Sequence, residues 1–187
     1  MTWNDEIALL SKALRSLSIR RGPRELESEK GFDLWKEMTI ILRIRKGTVY
    51  LIGNGASASM ASHSAADLAK NARLHTEVFS DLSLITAISN DLGYEHVFEE
   101  PLRRRARKGD MLIAISSSGK SPNVLKAVRF AGRLGLDVVT LSAMSPSNPL
   151  RRLGTLNVYV RAGTYGDAET CHAAILHHWM DRVVMGT

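Results

Sequence analysis

The chain has 187 residues, 44% of them hydrophobic and 24% charged, with a formal net charge of +6. That size and balance describe one globular domain, or one domain with a terminal arm, and exclude a disordered chain or a membrane bundle. The start MTWNDEIALLSKALRS is acidic where a secretory signal is basic, no apolar run approaches the roughly 18 residues of a spanning helix, and Cys171 is the only cysteine; no membrane association and a cytoplasmic location are expected.

In chain order, Ile7, Leu10, Leu14 and Leu17 recur at helical spacing and predict an amphipathic helix over about 4 to 19, broken by Arg21-Gly22-Pro23. Leu34, Trp35, Met38, Ile41 and Leu42 mark one stripe of a second helix that ends at Lys46-Gly47. Residues 1–46 therefore read as a two-helix arm suited to oligomerisation, ahead of an α/β domain over 47–187. From residue 48 the pattern alternates: short runs rich in β-branched residues at 48–53, 77–80, 111–116, 138–143 and 156–160 are separated by stretches long enough for helices. Strands apolar on both faces predict a parallel five-stranded sheet covered on both sides, a three-layer α/β sandwich, with a last helix over 167–185. The basic run Arg103, Arg104, Arg105, Arg107 and Lys108 has no interleaved aromatics and reads as a solvated helix end, so nucleic acid is not the expected partner.

Ligands of open parallel sheets bind beyond the carboxyl ends of the strands. Two turns stand out there. Gly53-Asn54-Gly55-Ala56-Ser57 follows the first strand and opens a helix, so small residues and unpaired N–H groups face any anion. Ser116-Ser117-Ser118-Gly119-Lys120-Ser121 follows the third strand, and Pro122 suits the first turn of the next helix. Neither turn has the Walker order or the full GxGxxG fingerprint, which argues against ATP and NAD. Each alone could be a plain strand-to-helix turn with a serine cap. Together, after two strands of one sheet, they favour a bound phosphate.

His63 and Asp67 lie four apart on the helix that leaves the first turn, and so share a face. Glu169 and His177, eight apart in the last helix, share another. Two histidines and two carboxylates could hold zinc, or serve as acid and base; an exposed His–Asp pair with no role is the plain alternative. His172 and His178 compete with His177 for that role, whereas His75 and His96 have no partners in sequence.

The stretches GNGASASMASHSAADLAKN, SNDLGYEHVFEEPL and ISSSGKSPNVLKAVRFAGRLGLDVVTL resemble, in that order, landmarks of the sugar isomerase (SIS) family and of its phosphoheptose isomerase branch. The resemblance implies a flavodoxin-like sheet, a homotetramer with active sites between subunits, and conversion of sedoheptulose 7-phosphate into an aldose heptose 7-phosphate, often with zinc. Carried over residue by residue, it implies phosphate binding by Ser57, Ser116, Ser118 and Ser121. Asn54, with Gly55 beside it, Asp91 and Ser117 would line the sugar. His63, Asp67, Glu169 and His177 would hold the metal, Glu169 would also bind the substrate, and Asp67 would be the base with His177 as acid/base partner. Asp67 stands where the family usually has glutamate, and Glu169 where it usually has glutamine. Some SIS relatives are non-catalytic modules that sense a sugar phosphate or bind the replication initiator, and that is the alternative function.

Overall fold

The computed structural model describes residues 1–185. Helix α1 (Trp3–Arg15) opens with a capping box in which the Asp5 N–H donates to Thr2 Oγ1 and the Thr2 N–H donates to the Asp5 carboxylate. It stops at Arg15, short of the expected 19, because the chain turns into a hairpin. Strands β1 (Ser18–Arg21) and β2 (Arg24–Leu26) pair antiparallel, with Arg21 opposite Arg24. The Gly22-Pro23 pair that reads as a helix breaker is thus a hairpin tip, and two strands separate the two helices of the arm.

The remaining elements are α2 (Ser28–Ile44), β3 (Thr48–Gly53), α3 (Ala56–Ala72), β4 (His75–Val78), α4 (Leu82–Leu92), α5 (Glu99–Arg105), β5 (Met111–Ser116), α6 (Pro122–Leu134), β6 (Asp137–Ser142), β7 (Leu156–Tyr159) and α7 (Tyr165–Met185), with short 3-10 turns at Tyr94–His96 and Pro149–Arg152. The sheet has seven strands in the order β2-β1-β7-β6-β5-β3-β4. This corrects the expected five-stranded, all-parallel sheet to a mixed one. The strands β3 to β7 are parallel and, taken alone, keep the flavodoxin-like order, while β1 joins β7 antiparallel. Without the hairpin, β7 would be an open edge; Ile19, fully buried opposite Val158, anchors the cover.

Each face of the sheet carries its own apolar core. On one side α1, α2 and α3 pack against α7, and Trp35 of α2 stacks on Trp179 of α7 with ring centroids 4.3 Å apart. Such a pair contributes about 1 kcal/mol beyond its buried area. On the other side α6 covers β5 and β6, and α5 packs against α6, in a cluster that includes Leu102, Val124 and Val128. The basic run at the end of α5 is partly paired within the fold: Arg104 with Glu100 at 2.8 Å, Arg105 with Glu77 at 3.0 Å, and Arg103 with Glu99. No helix among the described residues is long and apolar enough to cross a membrane.

Candidate functional site

The two serine-bearing turns meet at the tips of the neighbouring strands β3 and β5. Between them lies a cavity of about 180 Å³. Asn54 and Ser57 line it from the first turn, and Ser116, Ser117, Ser118 and Ser121 from the second. Glu169 and Tyr165, from the first turn of α7, close its side.

Local geometry explains why these residues are where they are. A Cβ on Gly53 would sit 2.6 Å from Ser57 Cβ, so glycine lets α3 start hard against the end of β3. Gly119 has φ of +63° and its Cβ would fall 2.0 Å from Asn148 Oδ1, so the second turn tolerates no side chain there. Backbone bonds pin that turn: the Ala143 N–H donates to the Ser117 carbonyl at 2.9 Å and the Leu150 N–H to the Gly119 carbonyl at 3.1 Å. Neither Gly55, at the head of α3, nor Ser121, at the head of α6, makes a side-chain cap; the N–H groups of Ser57 and Ala58 turn back on the carbonyls of Asn54 and Gly55, that of Val124 donates to Asn123 Oδ1, and Pro122 has none.

The serines are not all equivalent. Ser116 and Ser121 share a hydrogen bond of 3.1 Å, and Ser118 Oγ accepts from the Lys120 N–H at 3.2 Å. Ser117 is 5% exposed, and its Oγ is buried with no hydrogen-bond partner among the described residues. Ser57, Ser116, Ser118 and Ser121 line one cavity between two helix starts, an arrangement that fits an anionic ester.

A second group forms farther along the same two helices. One ligand atom each from His63, Asp67 and His177 lie within 4.8 Å of one another. His63 Nε2 is 3.3 Å from Asp67 Oδ2, and the His63 and His177 rings meet edge-on with centroids 5.4 Å apart. The shorter aspartate therefore still reaches its neighbours. Two imidazoles and a carboxylate at this spacing fit a divalent transition metal such as zinc, with positions left open. Glu169 falls outside this group and belongs to the serine cavity, because it sits two turns earlier on α7.

The structure separates the competing histidines of α7. His172 is fully buried, and neither ring nitrogen has a hydrogen bond of normal geometry among the described residues. Burial lowers its pKa to about 4, against a weaker opposing influence of the Ser142 backbone, so it is a neutral core residue. His178 packs edge-on against Phe32, with centroids 4.6 Å apart, and faces Arg182. Only His177 of the three stands beside His63 and Asp67.

Asp91, expected at the sugar, is exposed at the end of α4, where its Oδ1 accepts from Asn90, and it does not line the cavity. Gly55 heads α3 without lining the cavity itself. Three residues near the cavity carried no strong signal in the sequence. Tyr165 is aromatic at a helix start, Tyr94 follows a glycine, and Asn123 is the second residue of α6. Tyr94 and Asn123 both hydrogen-bond to Asn54.

A flavodoxin-ordered sheet whose neighbouring strand tips carry serine turns and uncapped helix starts defines an α/β protein that holds a small phosphorylated ligand. Comparison with known proteins gives that class a family. Residues 39–143 match the SIS domain model. The chain is 38% identical to the phosphoheptose isomerase of Chlorobaculum parvum over 140 residues, a segment covering 70% of this chain and 66% of that one. With the phosphoheptose isomerase of Campylobacter concisus the identity is 33% over 69% of this chain and 71% of that protein. The fold matches the phosphoheptose isomerase of Neisseria gonorrhoeae with a TM-score of 0.80 at 26% identity, over 97% of this chain and 99% of that one. The chain belongs to the SIS domain family, in its phosphoheptose isomerase branch, and so to the sugar-phosphate isomerases.

Proposed function

We propose that the chain interconverts sedoheptulose 7-phosphate and an aldose heptose 7-phosphate in the cytoplasm. The observation that carries this reading is the cavity itself: Ser57, Ser116, Ser118 and Ser121 for the phosphate, with Asn54, Ser117 and Glu169 toward the sugar. Asp67 removes a proton from C1 of the ketose and returns it to C2, while His177 moves a proton between the two oxygens of the enediol. The geometry in support is the mutual approach of Asp67, His63 and His177. Those three residues would hold a zinc ion, which when bound supplies polarisation of the sugar's carbonyl and neighbouring hydroxyl.

The proton-transfer group does not open into its own chain's cavity. His63 is six residues from Ser57, which turns it about 120° around α3. Its side chain is 59% exposed. The apolar residues Trp3, Ile7 and Leu14 of α1 are also exposed, as expected of a helix that packs on another copy. We therefore assign completion of the site to a homo-oligomer, a tetramer in the reading of the sequence. Purified protein with added zinc should convert sedoheptulose 7-phosphate to an aldose phosphate, detected chromatographically. No turnover of this or of pentulose and hexulose phosphates would leave a binding module instead.

A further inference from the structure

We infer that Asn123 and Tyr94 are positioning residues that set Asn54 as an N–H donor toward the oxygens of the sugar, a role that rests on the sugar-phosphate reading above. The chain of reasoning starts from a group with no choice of role. The backbone N–H of Val124 can only donate, and it donates to Asn123 Oδ1 at 3.0 Å. The Asn123 amide is thereby fixed with its NH₂ toward Asn54. Asn123 Nδ2 donates to Asn54 Oδ1 at 2.9 Å, and Asn54 Nδ2 donates back to Asn123 Oδ1 at 3.0 Å. The Tyr94 hydroxyl adds a second donor to Asn54 Oδ1 at 3.1 Å.

Turning the Asn54 amide over would set N–H against N–H and oxygen against oxygen, so one orientation prevails. Its oxygen has both lone-pair sites engaged. One of the two N–H bonds of Nδ2 has no partner among the described residues, and Asn54 lines the cavity. A side chain held in this way donates to a carbonyl, hydroxyl or enediolate oxygen and cannot accept from a sugar hydroxyl.

The supports are themselves fixed. Asn123 is 2% exposed, so its bonds compete little with water. The bridge joins the turn after β3 to the first turn of α6, and so sets the spacing of the two serine turns. The 3-10 turn that bears Tyr94 is tied to α5 and α6 through His96, whose Nδ1 lies 3.1 Å from Glu99 and whose Nε2 lies 2.7 Å from Lys126 Nζ.

Steady-state kinetics on the full chain test the assignment. Tyr94→Phe should lower kcat/KM for sedoheptulose 7-phosphate by about three- to tenfold, the worth of one hydrogen bond, while inhibition by inorganic phosphate stays within about twofold; Asn123→Ala, which removes both bonds to Asn54, should lower kcat/KM further. In an Asn54→Ala background Tyr94→Phe should cost nothing further, because it acts through Asn54. Wild-type kinetics for Tyr94→Phe, or the same loss in the Asn54→Ala background, overturns the assignment. If the wild type turns over no sugar phosphate, the functional reading fails separately, and NMR still reads the clamp. Slow exchange of the Asn54 side-chain amide protons that speeds up in Tyr94→Phe upholds it; equally fast exchange in both overturns it.

Discussion

The serine cavity and the His63–Asp67–His177 group are built on the same helices, α3 and α7, yet they are held in opposite ways. The cavity lies at helix starts, with its turns stitched to β6 and to the Asn54–Asn123 bridge by backbone and buried side-chain bonds. The histidine group lies about two turns along, on half-exposed faces, and its polar partners are one another. The first centre lines a cavity of this chain, and in the second the His63 side chain is more than half exposed. In the proposed function, binding of the phosphate belongs to the protomer and proton transfer to an assembly of copies.

That division can be broken most sharply at Asp67. Asp67→Asn keeps the size and removes the proposed base, so kcat should fall by about 10²- to 10⁴-fold, as loss of a general base does, with calorimetric affinity for inorganic phosphate unchanged. Loss of phosphate binding in that variant would merge the two centres.

A smaller effect concerns α7, which carries parts of both. His172 is neutral in the core with a pKa lowered to about 4, so between that value and about 6.5 the unfolded chain binds more protons than the folded one. Stability from this residue is complete above the upper value and is lost as pH falls toward the lower, on the order of 3 kcal/mol in all. Urea unfolding at a series of pH values should show this slope, and His172→Phe should flatten it; an unchanged slope would refute the buried neutral state.

The parallel strands were legible because each is a short β-branched run followed by room for a helix. The hairpin was not. Ser-Ile-Arg-Arg-Gly-Pro-Arg-Glu-Leu carries little apolar alternation, and its stability comes from pairing Ile19 with Val158 on the edge of β7, a contact 139 residues away in register terms that no local pattern announces. The serine turns could be read from their position after strands. His177 could be separated from His172 and His178 only by packing, since all three share one helix. In the stretch SNDLGYEHVFEEPL an acidic residue attracted notice, but Tyr94 is the one that reaches Asn54, because the helix ends at Leu92 and the 3-10 turn swings the next residues toward the cavity.

The most direct measurement is solvent exchange during turnover. Sedoheptulose 7-phosphate incubated with the wild-type protein in D₂O should gain deuterium at C1, read by proton NMR, and Asp67→Asn should abolish the gain while still binding the ester. Deuterium uptake that is absent from the wild type, or undiminished in Asp67→Asn, would contradict a proton transfer carried by this carboxylate.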